Sequence, residues 1–232
     1  MIAPLLVPAA MATAALTLKR DTQAATVYVR KPRGTLYWGG AGLDGPYVQP
    51  QLAAFREAGI AHVNAGLTNT ATRLLGPKGS LIDAARAGTL IRYRDDSEWV
   101  ITSGMTDAGP QFNLIGYSYG SLLAAQTAHW YARQAHVVDH VVLIASPIDA
   151  DFLNELRKHK CIRKVIVVDL TEFGDPIHAG ISQFELMKAA PELQAQKDRK
   201  QGEGHFYYAH LVRESNLRWA TLSKRLFVEG LR

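Results

Sequence analysis

Gly116-Tyr117-Ser118-Tyr119-Gly120 places a serine between two glycines, where an apolar run from Phe112 to Gly116 gives way to a helical pattern beginning at Tyr119. A chain that turns from strand to helix at a single residue forces that residue into strained φ/ψ space. Side chains two positions before and after it would collide, so glycine is needed at both places. Ser118 is then pushed out of the turn, with its hydroxyl facing the crevice at the carboxyl ends of the strands. There the Tyr119 N–H and the start of the following helix favour negative charge on a reacting oxygen. This is the chemistry of attack on a carbonyl. It needs two more side chains, because a serine hydroxyl is a poor nucleophile until a base removes its proton, and the base must be held in the correct tautomer by an acid.

The elements that would position such residues alternate along the chain. Ala25 to Arg30 and Thr35 to Trp38 are β-rich runs around Lys31-Pro32-Arg33-Gly34, which predicts a hairpin. A glycine-rich turn from Gly39 to Gly45 precedes Pro46 and a helical stretch to about Ala58, and Gly59 ends it before a short strand from Ile60 to Asn64. Ser80 to Arg94 reads as a helix with Ser80 as its cap, and Asp95 to Pro110 as irregular and polar. After the strand Phe112 to Gly116 come a helix from Tyr119 to Gln134, a strand from Val137 to Ala145, a helix from Asp149 to His159 and a strand from Lys164 to Leu170. Thr171 to Gly204 reads as a loop excursion holding a short helix, before a last helix from about Tyr207 to Phe227. Continuous Val, Ile and Leu runs between helices imply strands covered on both faces, hence a three-layer α/β/α domain with a mostly parallel sheet.

In the nucleophile motif and in the order of its parts, the stretch from about Ala25 to Arg232 resembles the α/β-hydrolase family of serine esterases, lipases and thioesterases. The resemblance implies a chain order of serine, acid, histidine. It puts the histidine at His205, in the glycine-flanked loop Gly202-Glu203-Gly204-His205-Phe206 just before the last helix, with His210 in reserve. His178 falls in the excursion, and His129 lies inside the helix beneath the nucleophile as a satisfied, partly buried residue. It puts the acid at Asp175, in Gly174-Asp175-Pro176-Ile177 after the strand Lys164 to Leu170, with Asp169, Asp149 and Asp151 as less favoured alternatives. A glycine-rich loop supplies the second oxyanion donor in the family. Trp38-Gly39-Gly40-Ala41-Gly42 matches that place without the histidine that often opens it, which makes Ala41 or Gly40 the partner of the Tyr119 N–H. The activity implied is hydrolysis of a carboxylic ester of a lipid or small acyl substrate, without a cofactor. The same constellation serves thioester and amide cleavage, and the fold also carries catalytically silent binding proteins.

Other signals are weaker. Gly40-Ala41-Gly42-Leu43-Asp44-Gly45 satisfies the dinucleotide fingerprint, but Ile60 to Gly66 offers no acidic residue for a ribose. His136 and His140 are four apart in a run that reads as a strand, where that spacing does not form a helical metal pair, and no metal is expected. The formal charge of +5 comes without a basic run long enough to track a phosphate backbone, so no nucleic-acid partner is expected. The single cysteine, Cys161, excludes an internal disulfide. Length and hydrophobic content fit one domain over residues 25–232. Residues 1–24 form an apolar arm or weak signal-like segment without a basic start, which leaves both export and peripheral membrane contact open.

Overall fold

Strands that are apolar on both faces have no stable place except between two layers of helices. The computed structural model of the chain, which describes residues 33–66, 79–89, 91–93 and 109–232, has that arrangement. In chain order the elements are β1 (Gly34–Trp38), α1 (Val48–Glu57), β2 (Val63–Ala65), α2 (Gly79–Thr89), β3 (Phe112–Tyr117), α3 (Tyr119–Arg133), β4 (Val138–Ile144), α4 (Ala150–Lys158), β5 (Ile162–Val168), α5 (Gln183–Arg199) and α6 (Ser215–Val228). The strands pair in the order β2-β1-β3-β4-β5, and every pairing among the described residues is parallel. The class is α/β.

Because strand side chains alternate in direction, the inner strands feed two cores. Leu36, Leu114, Val141 and Leu143 pack with Leu122 and Ala125 of α3 and with Phe152 and Leu156 of α4. Tyr37, Ile115, Val142 and Ile144 pack with Leu52 and Phe55 of α1 and with Trp219, Leu222 and Leu226 of α6. β3 and β4 are buried along their whole length, whereas β5, at the edge, exposes Arg163 and Lys164. Charges there discourage pairing with another chain.

A polar ladder crosses the sheet at the end away from Ser118. In register, Thr35, Asn113 and His140 sit side by side on β1, β3 and β4. The Asn113 Nδ2 donates to Thr35 Oγ1 at 3.1 Å, which leaves Asn113 Oδ1 to accept from His140 Nδ1 at 2.8 Å. His140 therefore carries its proton on Nδ1. Burial lowers its pKa below the ordinary 6.5, with Lys164, Arg163 and Arg232 acting in the same direction and Asp139 opposing them. Burial likewise lowers that of His210. Both folded values lie below the unfolded ones, so the unfolded chain binds more protons in the window beneath about pH 6.5 and stability falls as pH drops through it. The midpoint of urea unfolding is expected to be lower at pH 5.5 than at pH 7.5, and His140→Gln is expected to narrow that difference. An equal difference in the variant would remove His140 from the account.

Several boundaries differ from the sequence reading for identifiable reasons. The strand expected at Ile60 starts at Val63, because Gly59 (φ 94°) lets the Ile60 N–H fold back to the Phe55 carbonyl and close α1. Ser80 lies inside α2, which begins at Gly79 and ends at Thr89. β5 ends at Val168, two residues early, and Leu170 instead accepts the Asp175 N–H in the following turn. The helix expected to be short is the 17-residue α5, opened by a capping box between Ser182 and Glu185 and continuing through Pro191. The last helix begins at Ser215 rather than Tyr207, since residues 204–206 form a 3-10 turn and the Ser215 hydroxyl accepts the Val212 N–H. The arm at residues 1–24, the strand expected over Ala25 to Arg30 and residues 95–108 lie outside the described residues. Among those described, no helix is long and apolar enough to cross a membrane.

Candidate active site

The turn between β3 and α3 is built as the glycine spacing requires. Ser118 has φ 53° and ψ −121°, a conformation that costs a non-glycine residue on the order of 1–3 kcal/mol. Its N–H donates to the Ile144 carbonyl at 2.8 Å, tying the turn to the end of β4. A Cβ on Gly116 would lie 2.1 Å from the Gly120 carbonyl oxygen, and one on Gly120 would lie 2.2 Å from the Gly39 oxygen and 2.4 Å from that of Trp38. Glycine at 116 lets the turn close on itself, and glycine at 120 lets α3 seat against the end of β1.

From this turn Ser118 Oγ reaches 2.7 Å to Nε2 of His205, whose Nδ1 lies 2.9 Å from Asp175 Oδ2. Asp175 can only accept when ionised, so Nδ1 bears the proton and Nε2 is left to accept the serine hydroxyl. Asp175 sits in the loop after β5, past a 3-10 turn at Thr171–Phe173 and Gly174 (φ 88°). Its Oδ1 accepts the Ile177 N–H at 2.8 Å, leaving Oδ2 aimed at the imidazole. Asp175 and His205 are only 4% and 7% exposed, so their bond is made largely out of water.

His205 is held by its backbone as well as its ring. Its carbonyl accepts the Tyr117 hydroxyl, and its N–H donates to Gln196 Oε1 at 2.8 Å. The Tyr117 ring also stacks on the imidazole, with centroids 5.8 Å apart and planes 23° from parallel. Burial, with Tyr47 and Asp175 nearby, keeps the Tyr117 phenol well above its ordinary pKa, so it remains a donor.

The reserve candidates are engaged elsewhere. His210 stacks on Phe206 with centroids 4.7 Å apart. His178 Nδ1 lies 3.3 Å from the Ala179 carbonyl, and His129 is buried in α3 with its Nε2 3.0 Å from Glu155. Asp169 Oδ1 accepts the Ala179 N–H, while Asp149 caps α4 by accepting from Asp151 and Phe152, and Asp151 is exposed in the first turn of that helix.

The glycine turn separates the two oxyanion donors considered there. The Gly40 N–H donates to the Tyr47 hydroxyl at 2.6 Å and is engaged there. Ala41 is exposed, and its N–H meets no acceptor among the described residues. The Tyr119 N–H opens α3, where no carbonyl four residues earlier in a helix exists to accept it.

Three contributors carry no sequence signal of their own. Tyr47 acts across seven residues, Tyr117 occupies the variable position of its own motif, and Gln196 lies among polar residues that read as a solvated helix face. Comparison of the chain with protein-family models, with curated proteins and with solved structures finds no match to any of them.

Proposed function

We propose that this chain is a serine hydrolase of the α/β-hydrolase type that cleaves carboxylic esters of a lipid or small acyl substrate through an acyl-enzyme. One observation carries the reading: the continuous relay from Ser118 Oγ through both ring nitrogens of His205 to Asp175, assembled from residues 30 and 87 positions apart. The strained turn at Ser118, its two sterically obligatory glycines and the chain order of serine, acid and histidine support it.

In the forward step His205 Nε2 takes the Ser118 proton as Oγ attacks the ester carbonyl. The imidazolium so formed is stabilised by the Asp175 carboxylate at Nδ1. The negative oxygen of the tetrahedral intermediate is received by the N–H groups of Tyr119 and Ala41, each such donor being worth about 10²- to 10³-fold in rate. Collapse expels the alcohol, which takes the proton from Nε2. Water then repeats the sequence on the acyl-enzyme, with His205 as base, and releases the acid and free Ser118. No cofactor enters these steps.

The test is a series of p-nitrophenyl esters of increasing acyl length, run beside Ser118→Ala, together with a fluorophosphonate and mass spectrometry of the labelled peptide. Turnover that vanishes in the variant, with the phosphonate on the peptide containing Ser118, is the expected result. Wild-type protein that neither exceeds the variant on any ester nor takes up the phosphonate would remove the ester-hydrolase reading and leave a non-catalytic binding function in its place.

A further inference from the structure

We infer that Gln196 of α5 is a positioning residue that fixes the histidine loop to the acid loop, and so sets the distance between His205 and Asp175. This rests on the hydrolase reading above.

Gln196 is 2% exposed, and its amide spans the two loops. Oε1 accepts the His205 N–H at 2.8 Å, and Nε2 donates to the Gly174 carbonyl at 2.9 Å, one residue before the acid. The nitrogen also lies 3.2 Å from Glu192 Oε1. Two acceptors on one side and one donor on the other leave the amide a single orientation. Glu192 is itself held by Arg199 Nη2 at 2.7 Å, and Arg199 Nε pairs with Glu203, two residues before the histidine. The ring from the histidine loop through α5 to the acid loop is therefore closed at both ends.

Sterics at Gly204 point the same way. That residue has φ 53°, and a Cβ there would lie 2.3 Å from Gln196 Oε1. The histidine loop is thus pressed directly onto the amide. Neither His205 nor Asp175 belongs to a strand or to a long helix, so the sheet alone does not set their separation. A positioning error of about 1 Å in such a pair costs on the order of 100-fold in rate.

The test uses Gln196→Met, which keeps length and apolar packing but neither donates nor accepts strongly, and Gln196→Glu, which keeps shape and acceptor but loses the donor. Both are read in the full chain by ester kinetics and by proton NMR of the His205 Nδ1–H. For Gln196→Met the expected result is a fall in kcat of about 10- to 100-fold with KM within about twofold, at retained folding by circular dichroism. The low-field Nδ1–H signal should broaden or disappear. In Gln196→Glu the loss relative to wild type at the same pH should shrink as pH is lowered, since a protonated carboxyl can again donate to the Gly174 carbonyl. A residue that only filled space would show neither the split between kcat and KM nor this recovery. A folded Gln196→Met protein with wild-type kcat and an unchanged Nδ1–H signal would overturn the inference. Should wild type neither hydrolyse any ester nor take up the phosphonate while the Nδ1–H signal is present and Gln196→Met abolishes it, the hydrolase reading falls and the positioning role stands.

Discussion

Replacing His205 by alanine is expected to lower kcat for ester hydrolysis about ten-thousandfold or more, with KM changed little. The imidazole is the only group bonded to both Ser118 and Asp175 among the described residues, at 2.7 and 2.9 Å, so its removal takes away the proton acceptor and the link to the acid together. Members of such a relay act as a unit, and losing one costs nearly as much as losing several. What remains should be the contribution of the Tyr119 and Ala41 N–H groups and of substrate binding. Steady-state kinetics on the best p-nitrophenyl ester check this. Retention of more than about one hundredth of the wild-type kcat would move the base elsewhere, and His210, five residues further along the same segment, would be the first to examine.

The second large effect concerns stability rather than chemistry. Gly120→Ala would put a methyl group 2.2 Å from the Gly39 oxygen and 2.4 Å from that of Trp38, and Gly116→Ala one 2.1 Å from the Gly120 oxygen. These obstacles are backbone atoms at the end of β1 and at the start of α3, which have no rotamer to change. Each substitution is expected to cost about 3 kcal/mol or more, seen as a large drop in the urea midpoint or as failure to accumulate folded protein. Gly88→Ala supplies the opposite sign. Its added Cβ meets nothing within 4 Å among the described residues, and Gly88 lies within helix α2, where alanine is favoured by about 0.5–1 kcal/mol. If Gly116→Ala and Gly120→Ala unfolded no more readily than wild type, the close approach of α3 to β1 would be in error.

How much of this was legible beforehand depends on the range over which each residue acts. The Ser118 turn could be read because its demands are local: two residues either way, glycine is required by contacts within the turn or just beside it. The β3 and β4 runs can be read because burial on both faces leaves no polar alternation to interpret. Asp175 and His205 were accessible through their order and their places after a strand and before a helix, although neither residue type signals anything at its own position. The remainder depends on partners far along the chain. Gln196 meets the Gly174 carbonyl 22 residues away, and nothing in a polar helix marks which glutamine turns inward. Gly40 and Ala41 are equivalent as sequence, and only the seven-residue reach of the Tyr47 hydroxyl distinguishes them. The length of α5 is not legible in its composition, because a helix running through Pro191 is sustained by its packing and by its capping box.

The ladder of Thr35, Asn113 and His140 has a bearing on how the protein can change. Asn113 lies near the start of β3 and Ser118 in the turn just past its end, so the two are separated by about five residues of largely extended chain, or roughly 16 Å. The hydrogen-bonded foundation of the sheet and the Ser118 turn occupy opposite ends of β3. Substitutions that strengthen the foundation can therefore accumulate without deforming the Ser118 turn, and the loops that carry Asp175 and His205 can be exchanged without loosening the foundation. On the hydrolase reading, the usual conflict between robustness and activity in directed evolution would be weakened, because the ladder lies in the strands while Asp175 and His205 lie in loops beyond them.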